Sequence, residues 1–260
     1  MIITSRKNDN VVLFRLLCSD RKARYEHRKF PLEGVRLCME AVAENVPMPL
    51  AFVTLDAAEK YPQAYEKLLS YAGDTIMVSD GIGDYMSDTK SPQGFFAVGE
   101  ILDKCLTADK ISSDGKFVLL ESLQDPGNLG AIIRTADAMG ISGIIMSPDC
   151  VDVYSPKVVR SSMGSLFRLS IFTAEMTDII EMLKSKGVTV YASVVDSSAK
   201  KLTECDFNSA AAIVIGNEGA GVTIPTRYAS DEGITIPMNG HAESLNAAMA
   251  AGVFMWEMTK

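Results

Sequence analysis

Three polar loops, each following an apolar stretch, contain the residue types that could carry out chemistry. The first spans residues 121–137 and contains Asn128, just after a Pro-Gly turn, and Arg134. Asn128 is placed to cap a helix, whose N-terminus favours an anion nearby. Arg134 lies about two turns further on among Ala and Ile residues, where a guanidinium needs a partner or a ligand. A capped helix with a snorkelling arginine would give the same pattern.

The second loop follows the apolar run 211–215 and contains three glycines around Glu218. Glycines at 216, 219 and 221 permit positive φ angles and let the backbone approach a ligand closely. Their GxxGxG spacing after a late strand differs from the GxGxxG that follows the first strand in dinucleotide-binding proteins. This spacing and position of the glycines argue against a nucleotide-dependent oxidoreductase.

The third loop precedes the last helical pattern of the chain. Ser244 is placed to cap that helix, and Asn246, predicted to lie one turn in, presents both a donor and an acceptor. A capped C-terminal helix accounts for Ser244 but leaves Asn246 unexplained on an Ala-rich face. His241 in the same loop is either a proton shuttle or a solvated side chain.

These loops lie at the ends of predicted strands that alternate with predicted helices. The strands are 117–121, 143–147, 168–172, 188–195, 211–216 and 233–237, and the helices are 128–139, 155–166, 177–186 and 244–258. Such alternation predicts βαβ units and a largely parallel sheet, with ligands at the carboxyl ends of the strands. A small α/β domain at 1–105 and a polar linker at 106–115 precede this domain, which is predicted to span 116–260.

Composition indicates a globular chain. Of 260 residues, 47% are hydrophobic and 22% charged, which excludes disorder and fibrous repeats. Five widely spaced cysteines without a CxxC predict neither a disulfide framework nor a metal site. The N-terminus lacks a signal peptide pattern and no apolar run is long enough to span a membrane, so we expect a cytoplasmic protein.

The charges are distributed unevenly along the chain. A net charge of −8 would disfavour a nucleic-acid partner, yet residues 1–30 contain eight Lys/Arg and three Asp/Glu, which leaves −13 for the rest. Basic residues interleaved with aromatics are typical of RNA contacts, although a solvated helix face looks similar. The predicted RNA-binding residues are Arg21, Lys22, Arg24, Arg28, Lys29 and Arg160.

Taken together, in this order and spacing, the three loops closely resemble the motifs of the SpoU (TrmH) family of RNA 2′-O-ribose methyltransferases of the SPOUT superfamily. The resemblance covers roughly residues 115–260. Upstream, residues 19–34 resemble the family's substrate-binding module, which has the α/β fold of some ribosomal proteins. The family implies a parallel-sheet SPOUT domain with a deep trefoil knot, S-adenosylmethionine as methyl donor, and a homodimer.

The resemblance also implies roles for individual residues. Val195, Gly216, Ile236 and Leu245 would hold the cofactor, and the reactive site would consist of Asn128, Arg134, Glu218, Ser244 and Asn246. A guanidinium with a pKa above about 12 is a poor proton acceptor. We therefore expect Arg134 to clamp the ribose 2′-oxygen and a phosphate, with Asn128 and Glu218 orienting it.

Several functions remain open at this point. The added N-terminal module favours ribosomal RNA over tRNA as substrate. A tRNA 2′-O-methyltransferase, an enzyme that methylates a base nitrogen, and a catalytically silent RNA-binding or ribosome-assembly factor are the alternatives. The Asn128-to-Arg134 and Ser244-to-Asn246 patterns speak against base methylation, and no motif residue is lost, which disfavours the silent factor.

Overall fold

The computed structural model describes residues 2–102, 111 and 114–260, and these form two compact units. Unit 1 contains the described residues up to 102 together with the segment Asp152–Phe167. Unit 2 contains the described residues from 111 to Val151 and the segment Arg168–Lys260. Asp152–Phe167 thus lies inside the predicted 116–260 domain in sequence and in unit 1 in space. Most of the predicted linker, at 106–110, 112 and 113, lies outside the described residues.

Unit 1 is built on a five-stranded mixed sheet in the order β1-β4-β3-β5-β2, in which β5 runs antiparallel to its two neighbours. Its core contains Phe14, which meets the rings of Phe52 and Phe96 edge-on at 5.9 and 5.6 Å. The strands and helices are β1 Ile2–Ile3, α1 Asp9–Ser19, α2 Arg21–His27, β2 Lys29–Glu33, α3 Val35–Ala43, β3 Leu50–Thr54, α4 Leu55–Lys60, α5 Pro62–Tyr71, β4 Asp74–Val78, α6 Asp80–Met86 and β5 Phe95–Glu100.

Unit 2 is built on a seven-stranded sheet in the order β10-β12-β9-β11-β6-β7-β8, and every strand pairing in it is parallel. The remaining elements are β6 Lys116–Leu120, α7 Pro126–Ala138, β7 Gly143–Met146, α8 Pro156–Ser161, α9 Ser165–Arg168, β8 Ile171–Thr173, α10 Met176–Ser185, β9 Thr189–Ser193, β10 Lys200–Lys201, a 3-10 turn Leu202–Glu204, β11 Ala211–Ile215, α11 Ile224–Ala229, β12 Glu232–Thr235 and α12 Ala247–Thr259.

The predicted α/β class and parallel sheet are confirmed. β11 is buried along its whole length between β9 and β6, as a continuous apolar run requires in the centre of a parallel sheet. The short β10 was not predicted. Among the described residues no helix has the length and apolarity needed to traverse a lipid bilayer.

Two predicted helix starts are wrong by a few residues. α7 begins at Pro126, and Asp125, rather than Asn128, caps it by accepting from the Asn128 N–H. α12 begins at Ala247, and its cap is Asn246 rather than Ser244. In both loops two cap-forming residues lie within three positions, so the sequence alone does not decide which one is used.

The predicted helix 155–166 is also wrong, because it is interrupted. α8 ends at Ser161 and α9 starts at Ser165. Between them Met163 and Gly164 have φ angles of 52° and 91°. Residues in the left-handed region end a helix.

Candidate active site

A cavity of about 390 Å³ opens at the carboxyl edge of the sheet in unit 2. Its walls are the loops after β9, β11 and β12 and the first turns of α12. All four residues predicted to hold the cofactor, Val195, Gly216, Ile236 and Leu245, line it, as do Glu218 and Ser244. The structure therefore brings the second and third loops together around one space.

The backbone of the loop after β11 leaves room only for glycine at position 216. A Cβ added at Gly216 would lie 2.1 Å from the carbonyl carbon of Gly221 and 2.2 Å from the Val222 nitrogen. Asn217 and Gly221 exchange backbone hydrogen bonds of 3.1 and 2.9 Å, which folds this loop back on the strand end. The sequence predicted close approach to a ligand, whereas the close neighbour seen here is the turn that forms the cavity wall.

A chain of side-chain hydrogen bonds joins the three loops, and one of its members, Glu218, lines the cavity. Asn128 Nδ2 donates to Glu218 Oε1 at 3.0 Å, and Asn246 Nδ2 donates to Asn128 Oδ1 at 2.9 Å. Asn246 Oδ1 in turn accepts from the Ala248 and Met249 N–H groups and so caps α12. Because an ionised carboxylate only accepts, both amides have one orientation in this chain. Three of the five predicted reactive-site residues are thereby connected.

Glu218 is a carboxylate bound by amide donors. Its two oxygens accept from the Gln124 and Asp125 N–H groups at 3.1 and 2.9 Å, in addition to Asn128. Partial burial by itself would raise the pKa of Glu218, but the hydrogen bonds from Asp125, Asn128 and Gln124 outweigh it and hold that pKa below its ordinary value. Glu218 thus remains charged and fixes the loop that leads into α7.

Arg134 lies on the exposed face of α7. Among the described residues none forms an ion pair or hydrogen bond with its guanidinium, so the expected orienting contacts from Asn128 and Glu218 are not made; those two residues contact each other instead. The planar fork of Arg134 keeps its donors for a ligand. Ser244 likewise makes no side-chain hydrogen bond to a described residue and contributes only to the cavity wall.

Sequence reasoning missed Glu121, a buried carboxylate at the end of β6. Its oxygens accept from the Thr223 N–H and hydroxyl, each at 2.8 Å, and from the Thr226 hydroxyl. Glu121 therefore holds the start of α11 and, with it, the end of the loop that forms the cavity wall. An acidic residue directly after an apolar strand was the only signal.

Asn217 was missed as well. Its Nδ2 donates to the Ser122 carbonyl at 2.8 Å, and its Oδ1 accepts from the Gly219 and Ala220 N–H groups. Ser122 has a φ angle of 54°, a region that non-glycine residues seldom occupy. The backbone of the first loop is thus tied to the second loop at two points, Asn217 and Glu218.

The predicted RNA-binding residues lie in unit 1, and one of them is wrong. Arg24 is 4% exposed, and its Nε donates to Asp152 at 2.7 Å while Nη1 donates to the Leu17 carbonyl at 2.6 Å. A guanidinium buried in this way cannot meet an RNA phosphate. Arg160 donates to Asp88 and Glu33 at 2.8 and 3.4 Å, so it too is paired.

The remaining basic candidates are accessible. Arg21, Lys22 and Arg28 are exposed and Lys29 is half-buried at the start of β2. Lys22 lies 3.4 Å from Glu26, an exposed pair of little energetic weight. These four remain predicted RNA contacts.

Comparison with known families agrees with this geometry. A model of the SpoU rRNA methylase family matches residues 115–256, and a model of the MRM3-like substrate binding domain matches residues 10–97. The chain belongs to the SpoU rRNA methylase family. The matched range includes the three loops joined by Asn128, Glu218 and Asn246.

Relatives in the SpoU family match along nearly the whole chain. A protein named 23S rRNA (guanosine(2553)-2′-O)-methyltransferase RlmP from Bacillus subtilis (strain 168) is 29% identical, and the match covers 98% of each chain. The 23S rRNA (uridine(2479)-2′-O)-methyltransferase of Streptomyces viridochromogenes is 32% identical over 99% of this chain and 91% of its own.

A solved SpoU-type structure has the same fold. The AdoMet-bound rRNA methyltransferase from Sinorhizobium meliloti superposes with a TM-score of 0.88 at 29% identity, covering 99% of this chain and 97% of the other.

Proposed function

We propose that this protein transfers a methyl group from S-adenosylmethionine to a ribose 2′-hydroxyl of ribosomal RNA. The observation that carries the proposal is the Glu218–Asn128–Asn246 hydrogen-bonded chain, which ties the first motif loop to the second and third loops that line the cavity at the carboxyl edge of a parallel sheet. The family membership and the ribosomal RNA methyltransferases that match the full chain support it.

The residues that line the cavity fit the cofactor. Its volume lies in the usual range for small-molecule sites, roughly 300–1,000 Å³. Val195, Ile236 and Leu245 offer apolar walls for an adenine ring, while backbone groups of the loop after β11 offer donors and acceptors. The carboxylates of Glu218 and Glu243, both in the wall, suit a cationic sulfonium. When bound, the cofactor supplies an electrophilic methyl group.

Arg134 would bind the ribose whose 2′-oxygen attacks the methyl group. Its five N–H donors are unused by described residues, which suits a bidentate grip on the ribose 2′-oxygen and a neighbouring phosphate. Such a grip stabilises the alkoxide that develops as the 2′-oxygen attacks and aligns it with the methyl group. The proton would leave to the phosphate or to water, since a guanidinium is a poor acceptor.

A second copy of the chain would complete this site. On α12 the exposed side chains Met249, Val253 and Trp256 form one apolar stripe, and Trp256, the only tryptophan, is 62% exposed. α12 packs on α7, whose exposed stripe is Ala131, Arg134 and Ala138. An apolar surface with one unpaired arginine suits a self-complementary interface. Burial of Arg134 at a homodimer interface would strengthen its hold on an anion.

Further parts of the proposal come from the family resemblance. They are a deep trefoil knot in the C-terminal domain, action in the cytoplasm, and substrate binding by an N-terminal domain ending near residue 105. The match of residues 10–97 to a substrate-binding domain supports the last of these.

The test is to map 2′-O-methyl groups in total RNA from cells with and without the protein, and to repeat the map after adding purified protein and S-adenosylmethionine to RNA from the deficient cells. We expect one site, or a few, in ribosomal RNA to disappear and then return. An unchanged map would overturn the proposal, whereas a change confined to tRNA would support the alternative substrate.

A further inference from the structure

The ring of Tyr85 lies beside two arginines in unit 1. Tyr85 is half-buried near the end of α6, with the guanidinium carbon of Arg6 4.7 Å from the ring centroid and that of Arg15 at 5.4 Å. Both distances are within the cation–π range of about 6 Å. One half-buried aromatic ring thus holds two cations that sequence analysis did not single out.

The two arginines differ in what else they contact. Arg15 Nη1 donates to the Met86 and Ser87 carbonyls at 3.2 and 3.4 Å, where the helix dipole of α6 favours a cation. Arg6 is exposed, and in the described part of the chain no residue forms an ion pair or hydrogen bond with its guanidinium. The contact with Tyr85 therefore places the Arg6 guanidinium over the ring while described residues leave its donors unused.

We propose that Arg6, held on Tyr85 and backed by Arg15, is an RNA-contact site that grips an unpaired nucleotide through its phosphate and base face. The proposal rests on the proposed ribosomal RNA substrate. A stacked guanidinium with its fork unoccupied matches the bidentate geometry of a phosphate. Unpaired bases stack on arginine planes and aromatic rings.

Arg6 and Arg15 are open to an anionic partner, although the exposed Asp84 precedes Tyr85 in α6. No described carboxylate pairs with Arg6 or Arg15, and the next residue, Lys7, is exposed. Two neighbouring guanidiniums repel each other, and a bound phosphate would relieve this repulsion. This site adds an RNA contact to a unit in which Arg24 and Arg160 are already paired with carboxylates.

The test measures binding of fluorescein-labelled oligouridylate to the full-length protein across a series of salt concentrations. Arg6→Ala should weaken binding about five- to tenfold, the scale of one stacking or phosphate contact, and lower the salt slope by about 0.7. Arg6→Lys should keep the salt slope but lose part of the affinity, since the charge stays and the planar fork goes. Tyr85→Leu should weaken binding without changing the slope.

Lys60→Ala is the matched control, because Lys60 forms a cation–π contact with Tyr61 elsewhere in unit 1, at 5.4 Å. The proposal is overturned if Lys60→Ala weakens binding as much as Arg6→Ala, if Arg6→Lys equals wild type, or if wild type does not bind. Polyglutamate that is held as tightly as oligouridylate, and equally weakened by Arg6→Ala, would assign the site to acidic polypeptides instead. Because RNA binding and methyl transfer are measured in separate experiments, failure of this proposal can be told apart from failure of the methylation proposal.

Discussion

Units 1 and 2 each contain a network of carboxylates and donors, but Arg24 in unit 1 and Arg134 in unit 2 differ in whether a carboxylate binds them. In unit 1, Arg24 is buried and bound to Asp152, which also accepts from the Tyr25 hydroxyl at 3.0 Å. In unit 2, Glu218 is bound by amides and Arg134 is left without a partner among the described residues. Arg24 is thus a guanidinium that maintains the fold, whereas no described residue uses the donors of Arg134.

Removing the buried arginine should have the largest effect. Arg24→Ala leaves the carboxylate of Asp152 buried without its cation, which we expect to lower the free energy of unfolding by about 3–5 kcal/mol. Denaturant titration measures it. The control is Arg21→Ala, an exposed neighbour for which we expect a change within about 0.5 kcal/mol. Equal effects of the two would remove the distinction between the units.

Removing the unpaired arginine should instead spare the fold. Arg134→Ala should lower kcat by about 10²–10³-fold, because transition-state charge loses its donor, while the unfolding free energy and the Kd for S-adenosylmethionine stay near wild type. Methylation assays measure the loss of rate, and calorimetry measures the unfolding free energy and the Kd for S-adenosylmethionine. Lys186→Ala, at the opposite edge of the sheet, is the control cation. Loss of S-adenosylmethionine binding in Arg134→Ala would contradict the proposal that Arg134 binds the RNA rather than the cofactor.

Substitutions at the two candidate cap residues of α12, Asn246 and Ser244, test the hydrogen-bonded chain in unit 2. Asn246→Ala removes the cap of α12 and the donor to Asn128, so we expect a loss of about 1 kcal/mol in unfolding free energy. Ser244→Ala removes no hydrogen bond to a described residue and should change stability by less than about 0.5 kcal/mol. A larger effect from Ser244→Ala would restore it as the cap.

The smallest effect concerns pH. The pKa of Glu218 is lowered in the folded state, so its contribution to stability is present above the ordinary glutamate pKa and is lost as the pH falls through the lowered value. We expect the difference in unfolding free energy between wild type and Glu218→Gln to shrink on acidification. A difference that stays constant from neutral to acidic pH would show that the charge of Glu218 does not matter.

Local patterns were enough to predict the central strands of unit 2. The apolar runs that became β6, β7 and β11 were located within one residue at each end, because burial on both faces of a parallel sheet demands such runs. Cavity-lining residues followed from the family motifs and from the rule that ligands bind at carboxyl ends of strands.

Contacts between distant residues could not be predicted in the same way. Arg24 and Asp152 are 128 positions apart, and nothing near Arg24 in sequence distinguishes it from the exposed Arg21 or Arg28. The Glu121 bonds to Thr223 and Thr226 span 102 and 105 positions. Only the folded chain shows which charged side chains are already paired.

The segment Asp152–Phe167 has a consequence for how this protein can be divided. Tyr154 and Phe167 pack against Phe30, with ring centroids at 4.9 and 6.3 Å from that of Phe30, so this segment is part of the core of unit 1 although residues of unit 2 flank it on both sides. No single cut therefore yields two intact units: a fragment that begins after residue 115 carries the segment Asp152–Phe167, whose Tyr154 and Phe167 then lose their packing against Phe30. We expect such a fragment to aggregate, and a fragment of residues 1–102 to be rescued by a separately supplied peptide of residues 152–167.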